Sequence, residues 1–134
     1  TVGAIYDDTK FDEYADGAAR AGLQVGAYFF SQAVSVAEAQ EEAYHVLDKL
    51  RGHEITGPVV FDWEVIGKSE ARTYGIETGV LCAAANAFCE IIKDAGYDVD
   101  APSFYYDFAM WQYSSKGSVD GIKGNVDMDI WFIK

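Results

Sequence analysis

The stretch "GPVVFDWE", Gly57–Glu64, decides how the rest of the chain is read. It is short and apolar, bounded by Gly57 and Pro58, and has the composition of a strand covered on both faces. A second such stretch, "LQVGAYFFS" from Leu23 to Ser31, precedes it, and a helical pattern lies between them. Helix, glycine, strand and helix again is the order of a parallel β/α architecture. In such folds the carboxyl ends of the strands gather the functional side chains. Ser31, Asp62 and Glu64 are expected at that end.

Three helices carry their own punctuation. The first opens at "TKFD", where Thr9 and Asp12 are the expected capping pair. Phe11, Tyr14, Ala15, Ala18 and Ala19 follow at helical spacing as its inward face, and Gly22 ends it. The second opens at Ser35 with Glu38 three residues on, a better capping box, and buries Ala39, Ala43, Val46, Leu47 and Leu50 before Gly52. The third spans about Thr78 to Ala95, with Leu81, Ala84, Phe88, Ile91, Ile92 and Ala95 inward and Gly96 as its stop.

The alternation then breaks. Behind Gly96 only "YDV" precedes Pro102, and the chain enters its first helix from a loop with no strand before it. Two antiparallel strands are expected after that, Phe108–Ser115 and Asn125–Ile133, joined by "KGSVDGIKG". Trp111 and Tyr113 would share one face of the first, Asp127 and Asp129 one side of the second. A full β/α barrel takes about 200 to 250 residues, so several elements are expected to be missing from these 134.

Composition narrows the function classes. Half of the residues are hydrophobic and 15% aromatic, enough for one domain with a core. Ten Lys and Arg stand against 22 Asp and Glu, a net charge of −12 that disfavours nucleic acid as a partner. No apolar run is long enough for membrane insertion, and no signal peptide is readable. Cys82 and Cys89 lie two helical turns apart, roughly 10 Å, beyond disulfide reach, and read as buried small hydrophobes. His45 and His53 read as structural or solvent-facing, and no metal-ligand spacing is present.

Asp62 and Glu64 hold the chemistry. At i and i+2 they leave one face of a strand about 6.6 Å apart. Carboxylates there are costly unless solvated, paired or used. Such a pair is the minimum equipment for glycoside hydrolysis: one carboxyl gives its proton to the leaving oxygen while the other stays ionised. Repulsion between neighbouring carboxyls favours keeping one of them protonated. Tyr28, Phe30 and Trp111 offer flat apolar faces suited to sugar rings. Taken singly, an acid-x-acid strand end is ordinarily just solvated, and the three aromatics are ordinarily core.

"VGAYFFS", "PVVFDWE" and "MWQYSS.G.V.GI.GNVDMD", in this order, resemble the family-25 glycoside hydrolases, the N-acetylmuramidases or lysozymes of bacteria and phages. The resemblance runs from about Tyr6 onward. It implies an α/β fold, a modified TIM-like β/α barrel whose C-terminal strands lack helices. It also implies that residues 1–134 form a single catalytic domain, with the first strands and a segment near residues 97–98 expected to be missing. It implies cleavage of the β-1,4 bond between N-acetylmuramic acid and N-acetylglucosamine in peptidoglycan. Glu64 takes the place of the family's general acid, Asp62 its acidic partner and Asp127 a further active-site aspartate, while Tyr28, Phe30 and Trp111 match the sugar cleft. Strand geometry holds Asp62 and Glu64 too far apart for direct nucleophilic attack, so the substrate's own N-acetyl group is the expected nucleophile. No cofactor is needed. The expected partner is a peptidoglycan glycan strand, the state a monomer and the location extracellular or wall-associated. The alternatives are a non-catalytic cell-wall glycan-binding module on a degenerate barrel and an acidic interaction domain.

Overall fold

The computed structural model describes residues 4–64, 69–99 and 110–131. The chain divides into two compact units, Thr1–Ala101 and Pro102–Lys134.

The first unit runs α1 (Phe11–Arg20), β1 (Ala27–Phe30), α2 (Val36–Leu50), β2 (Val59–Asp62) and α3 (Thr78–Asp94). The expected β/α order is therefore present, and β1 and β2 pair in parallel, with Ala27 opposite Val59 and Phe30 opposite Asp62. The segment after α3 returns to β2, where Val59 N–H donates to the Asp98 carbonyl at 2.8 Å. The "YDV" segment thus lies beside β2 by one hydrogen bond without extending into a strand. Among the described residues the sheets have two strands each and do not close into a barrel.

The core lies where α2 and α3 cover one face of the β1–β2 pair. Ala39, Ala43, Val46 and Leu50 of α2 meet Ala84, Phe88, Cys89 and Ile92 of α3 and Val59 of β2. Alanines on the facing turns let the helices approach closely. The space toward the sheet is filled by Phe88, whose ring lies 6.3 Å from that of Phe29 and 5.1 Å from that of Phe61. Gly26 and Gly57 bring the strand starts together: a Cβ on Gly26 would sit 2.7 Å from the Pro58 carbonyl oxygen.

Several expectations are corrected. The strands are shorter than their apolar runs and are not covered on both faces: Tyr28 is 70% exposed and Phe30 41%. Their neighbours Ala27 and Phe29 turn to the helices, so β1 alternates like a strand with one open face. Thr9 does not cap α1. Its N-cap is Lys10, and the turn is closed by Asp8, whose carboxylate accepts from the Lys10 N–H at 2.8 Å. Tyr14 is exposed because α1 turns it toward a cavity, and Ala95 is exposed as the C-cap beyond the last turn of α3. Ser35 does cap α2, accepting from the Glu38 N–H at 3.3 Å. Neither cysteine is in a disulfide; Cys89 is buried but Cys82 only half-buried.

The second unit is an antiparallel pair, β3 (Met110–Gly117) and β4 (Val126–Trp131). Phe108, Ala109, Phe132 and Ile133, expected in these strands, lie outside the described residues. Register shifts between Gln112 and Ser114 and between Ser114 and Gly117 interrupt the simple alternation expected for β3. In β4 half-buried Val126 and Met128 alternate with exposed Asp127 and Asp129, but Ile130 is exposed as well.

Candidate active site

Parallel pairing decides which predicted residues meet. Phe30 and Asp62 are register partners, and Tyr28 lies two residues before Phe30, so all three share the face turned away from the helices. The ladder ends on Asp62, whose carbonyl accepts from the Ser31 N–H at 2.7 Å. Glu64 is exposed and lies two residues past β2. It therefore leaves an unpaired extension rather than the strand itself. Between the acids, the buried indole N–H of Trp63 has no hydrogen-bond partner among the described residues. Asp127, exposed in β4, and Trp111, placed in β3 opposite Ile130, belong to the second unit, and the side chain of Trp111 lies outside the description.

The connection from β1 to α2 is tied down at every step. Four successive backbone N–H groups find acceptors: Ser31 on the Asp62 carbonyl, Gln32 on Glu42 Oε1 at 3.3 Å, Ala33 on Ser31 Oγ at 3.2 Å and Val34 on Glu38 Oε2 at 2.9 Å. Ser31 Oγ in turn donates to Glu42 Oε2 at 2.6 Å. Arg72, from the segment following the acid pair, donates to the Gln32 carbonyl at 3.1 Å and to Glu38 Oε1 at 2.9 Å. Glu42 is only 8% exposed, and burial raises its carboxyl above the ordinary 4.5. Glu38 is lowered, chiefly by its hydrogen bond from Arg72.

Sequence reasoning missed Glu42, Glu38 and Arg72 as a group. One signal was available. Glu42 lies on the apolar stripe of α2, three residues after Ala39 and four before Val46, where an acid requires partners. Both histidines lie beside carboxylates: His45 Nε2 is 2.6 Å from Asp7, and His53 Nδ1 2.7 Å from Asp16.

A cavity of about 790 Å³ opens along the free side of β1, lined by Tyr6, Tyr14, Tyr28, Phe30, Glu42 and Arg72 among others. Asp62 and Glu64 are not in its lining. Among the described residues no group of three or more His, Cys, Asp or Glu is arranged to hold a metal ion. No described helix is long and apolar enough to cross a membrane.

Comparison with known proteins bears on this arrangement. The autolytic lysozyme of Clostridium acetobutylicum is 28% identical over 152 residues, covering 96% of this chain and 46% of that protein. The chain thus spans about half the length of that curated relative. Among solved structures, the spore cortex lytic enzyme SleM of Clostridium perfringens matches with a TM-score of 0.77 at 18% identity, over 96% of this chain and 55% of that one. The modular autolysin LytC of Streptococcus pneumoniae, solved with a synthetic peptidoglycan ligand, gives 0.76 at 20% identity, over 95% and 38%. These likenesses are of fold. The model of the glycosyl hydrolases family 25 matches residues 1–107, and the chain belongs to that family.

Proposed function

We propose that the chain is catalytic-domain sequence of a peptidoglycan hydrolase that cleaves the β-1,4 bond between N-acetylmuramic acid and N-acetylglucosamine. The observation that carries this reading is the shared face of Tyr28, Phe30 and Asp62, with exposed Glu64 just beyond, in a chain of family 25. Aromatic faces beside a carboxylate suit a sugar ring, and an exposed carboxyl two residues on is free to reach a leaving oxygen. In this proposal Glu64 protonates that oxygen as the bond to the anomeric carbon breaks. The substrate's N-acetyl oxygen bonds to that carbon, and Asp62 orients the acetamido group. Water then opens the cyclic intermediate and its proton returns to Glu64, so configuration is retained. Asp127 and Trp111 carry the roles that the family resemblance gives them, a further acid and a sugar-facing ring. The parallel β1–β2 ladder, with Asp98 on the other edge of β2, is consistent with a portion of a modified β/α barrel forming one catalytic domain. A monomer acting outside the cell or at the wall fits such a substrate.

Glu64→Gln is expected to slow the clearing of cell-wall suspensions at least about 100-fold, the usual contribution of a general acid. Its thermal midpoint should not change, because Glu64 is exposed. Undiminished clearing by this variant overturns the assignment, and a covalent adduct on Asp62 during turnover overturns the substrate-assisted route.

The placement of the cavity favours a second reading, a glycan-binding module that does not cut. The cavity follows Tyr28 and Phe30 and leaves out the acid pair. Retention of glycan strands without new reducing ends, abolished by Tyr28→Ala, would establish it.

A further inference from the structure

The acid pair starts at a backbone contact to the dipeptide Ser31–Gln32. The Asp62 carbonyl accepts from the Ser31 N–H, and the Arg72 guanidinium donates to the Gln32 carbonyl. Asp62 and Arg72 thus clasp one dipeptide. The dipeptide is fixed from behind: Glu42 takes the Ser31 hydroxyl on one oxygen and the Gln32 N–H on the other. Glu38 steadies the clasp from the first turn of α2, joining Arg72 to the Val34 N–H. Arg72 meets two acceptors at once through its two terminal nitrogens, an arrangement that the single ammonium of lysine does not reproduce.

We propose that Arg72 and Glu42 are positioning residues that set the place of Asp62 and Glu64 by fixing the dipeptide Ser31–Gln32, whose Ser31 N–H is bonded to the Asp62 carbonyl. This rests on the reading of Asp62 and Glu64 as the reacting acids; the clasp itself is measurable without it. Groups that act at a reacting centre must be held within a fraction of an ångström. The clasp supplies this from residues that need not touch the substrate's reacting atoms.

The test uses the full chain and the variants Arg72→Met, Arg72→Lys and Glu42→Gln. The first measurement is amide hydrogen exchange of Ser31, whose N–H bonds to Asp62. Arg72→Met should speed Ser31 exchange at least tenfold. Val59, bonded to Asp98 on the other edge of β2, should stay within twofold. Equal change at both amides, or none at Ser31, overturns the proposal. The second measurement is hydrolysis of soluble peptidoglycan per folded molecule. Arg72→Met and Glu42→Gln should lower kcat tenfold or more with KM within twofold, and Arg72→Lys should recover only part of the loss. An unchanged kcat per folded molecule overturns it, since a merely structural clasp would cost only folded protein. If the parent chain and Glu64→Gln alike hydrolyse nothing, the hydrolase reading fails, and the Ser31 exchange still decides whether the clasp holds Asp62.

Discussion

The two strand pairs of this chain are held in opposite ways. β1 and β2 have four residues each, yet they lie against α2 and α3, and Phe29 and Phe61 flank a fully buried Phe88. β3 and β4 are longer, eight and six residues, with two register shifts, and none of the side chains described there is buried. Apolar coverage, rather than length of ladder, decides how firmly a strand is fixed. The short pair offers a rigid base for Asp62, because Phe29 and Phe61 rest on Phe88.

The contrast can be broken most severely at Phe88. Phe88→Ala leaves a void between two helices and two strands and should cost about 3–5 kcal/mol. Ile130→Ala in β4, where the side chain is 42% exposed, should cost no more than about 1 kcal/mol. Urea midpoints at constant m-value check both. Comparable losses would mean that the hairpin is held as firmly as the parallel pair.

Glycines sharpen the comparison. A Cβ on Gly26 meets the Pro58 carbonyl, which is backbone and cannot step aside, whereas one on Gly117 meets the side chain of Met128 first. Gly26→Ala should therefore cost about 1–3 kcal/mol, and Gly117→Ala less, with thermal midpoints as the measure. Smaller still is the difference between two helix starts. Ser35→Ala removes a used cap and should cost about 1 kcal/mol, while Thr9→Ala should change nothing measurable, because the N-cap of α1 is Lys10 and not Thr9.

The slightest effect expected is on pH dependence. Burial raises Glu42 above 4.5, so the folded chain binds that proton more tightly than the unfolded chain. Its contribution to stability should decline as pH rises from 4.5 through the raised pKa. Glu38, lowered by Arg72, acts in the other sense: its contribution is complete above 4.5 and is lost as pH falls through the depressed pKa. In urea titrations across pH, Glu42→Gln should flatten the upper limb and leave the lower one.

Much of the first unit was legible in the sequence because its signals are local. Ser35 with Glu38, the alanine and leucine spacing of α2, and Gly96 each act within a turn or two of themselves. What failed depended on neighbours. Thr9 had the right chemistry for a cap, but α1 starts at Phe11 with Lys10 as its N-cap, one residue too late for Thr9. Tyr28 and Phe30 have the hydrophobicity of core residues, and whether anything covers β1 on that side is settled by no residue of β1. Arg72 meets Gln32 across forty positions, which no periodicity can reveal. The family resemblance reached Asp62 and Glu64 through motif order, yet it said nothing of the clasp behind them.

Trp63 lies between the two acids with its indole N–H shut away from water and unsatisfied among the described residues. Such a ring is an optical gauge set into the place where chemistry is proposed. An acceptor reaching that nitrogen, or water entering beside it, would shift its emission, so occupancy near Asp62 and Glu64 can be followed without attaching a dye. Replacing Trp111 and Trp131 with phenylalanine would leave Trp63 as the sole tryptophan among these 134 residues.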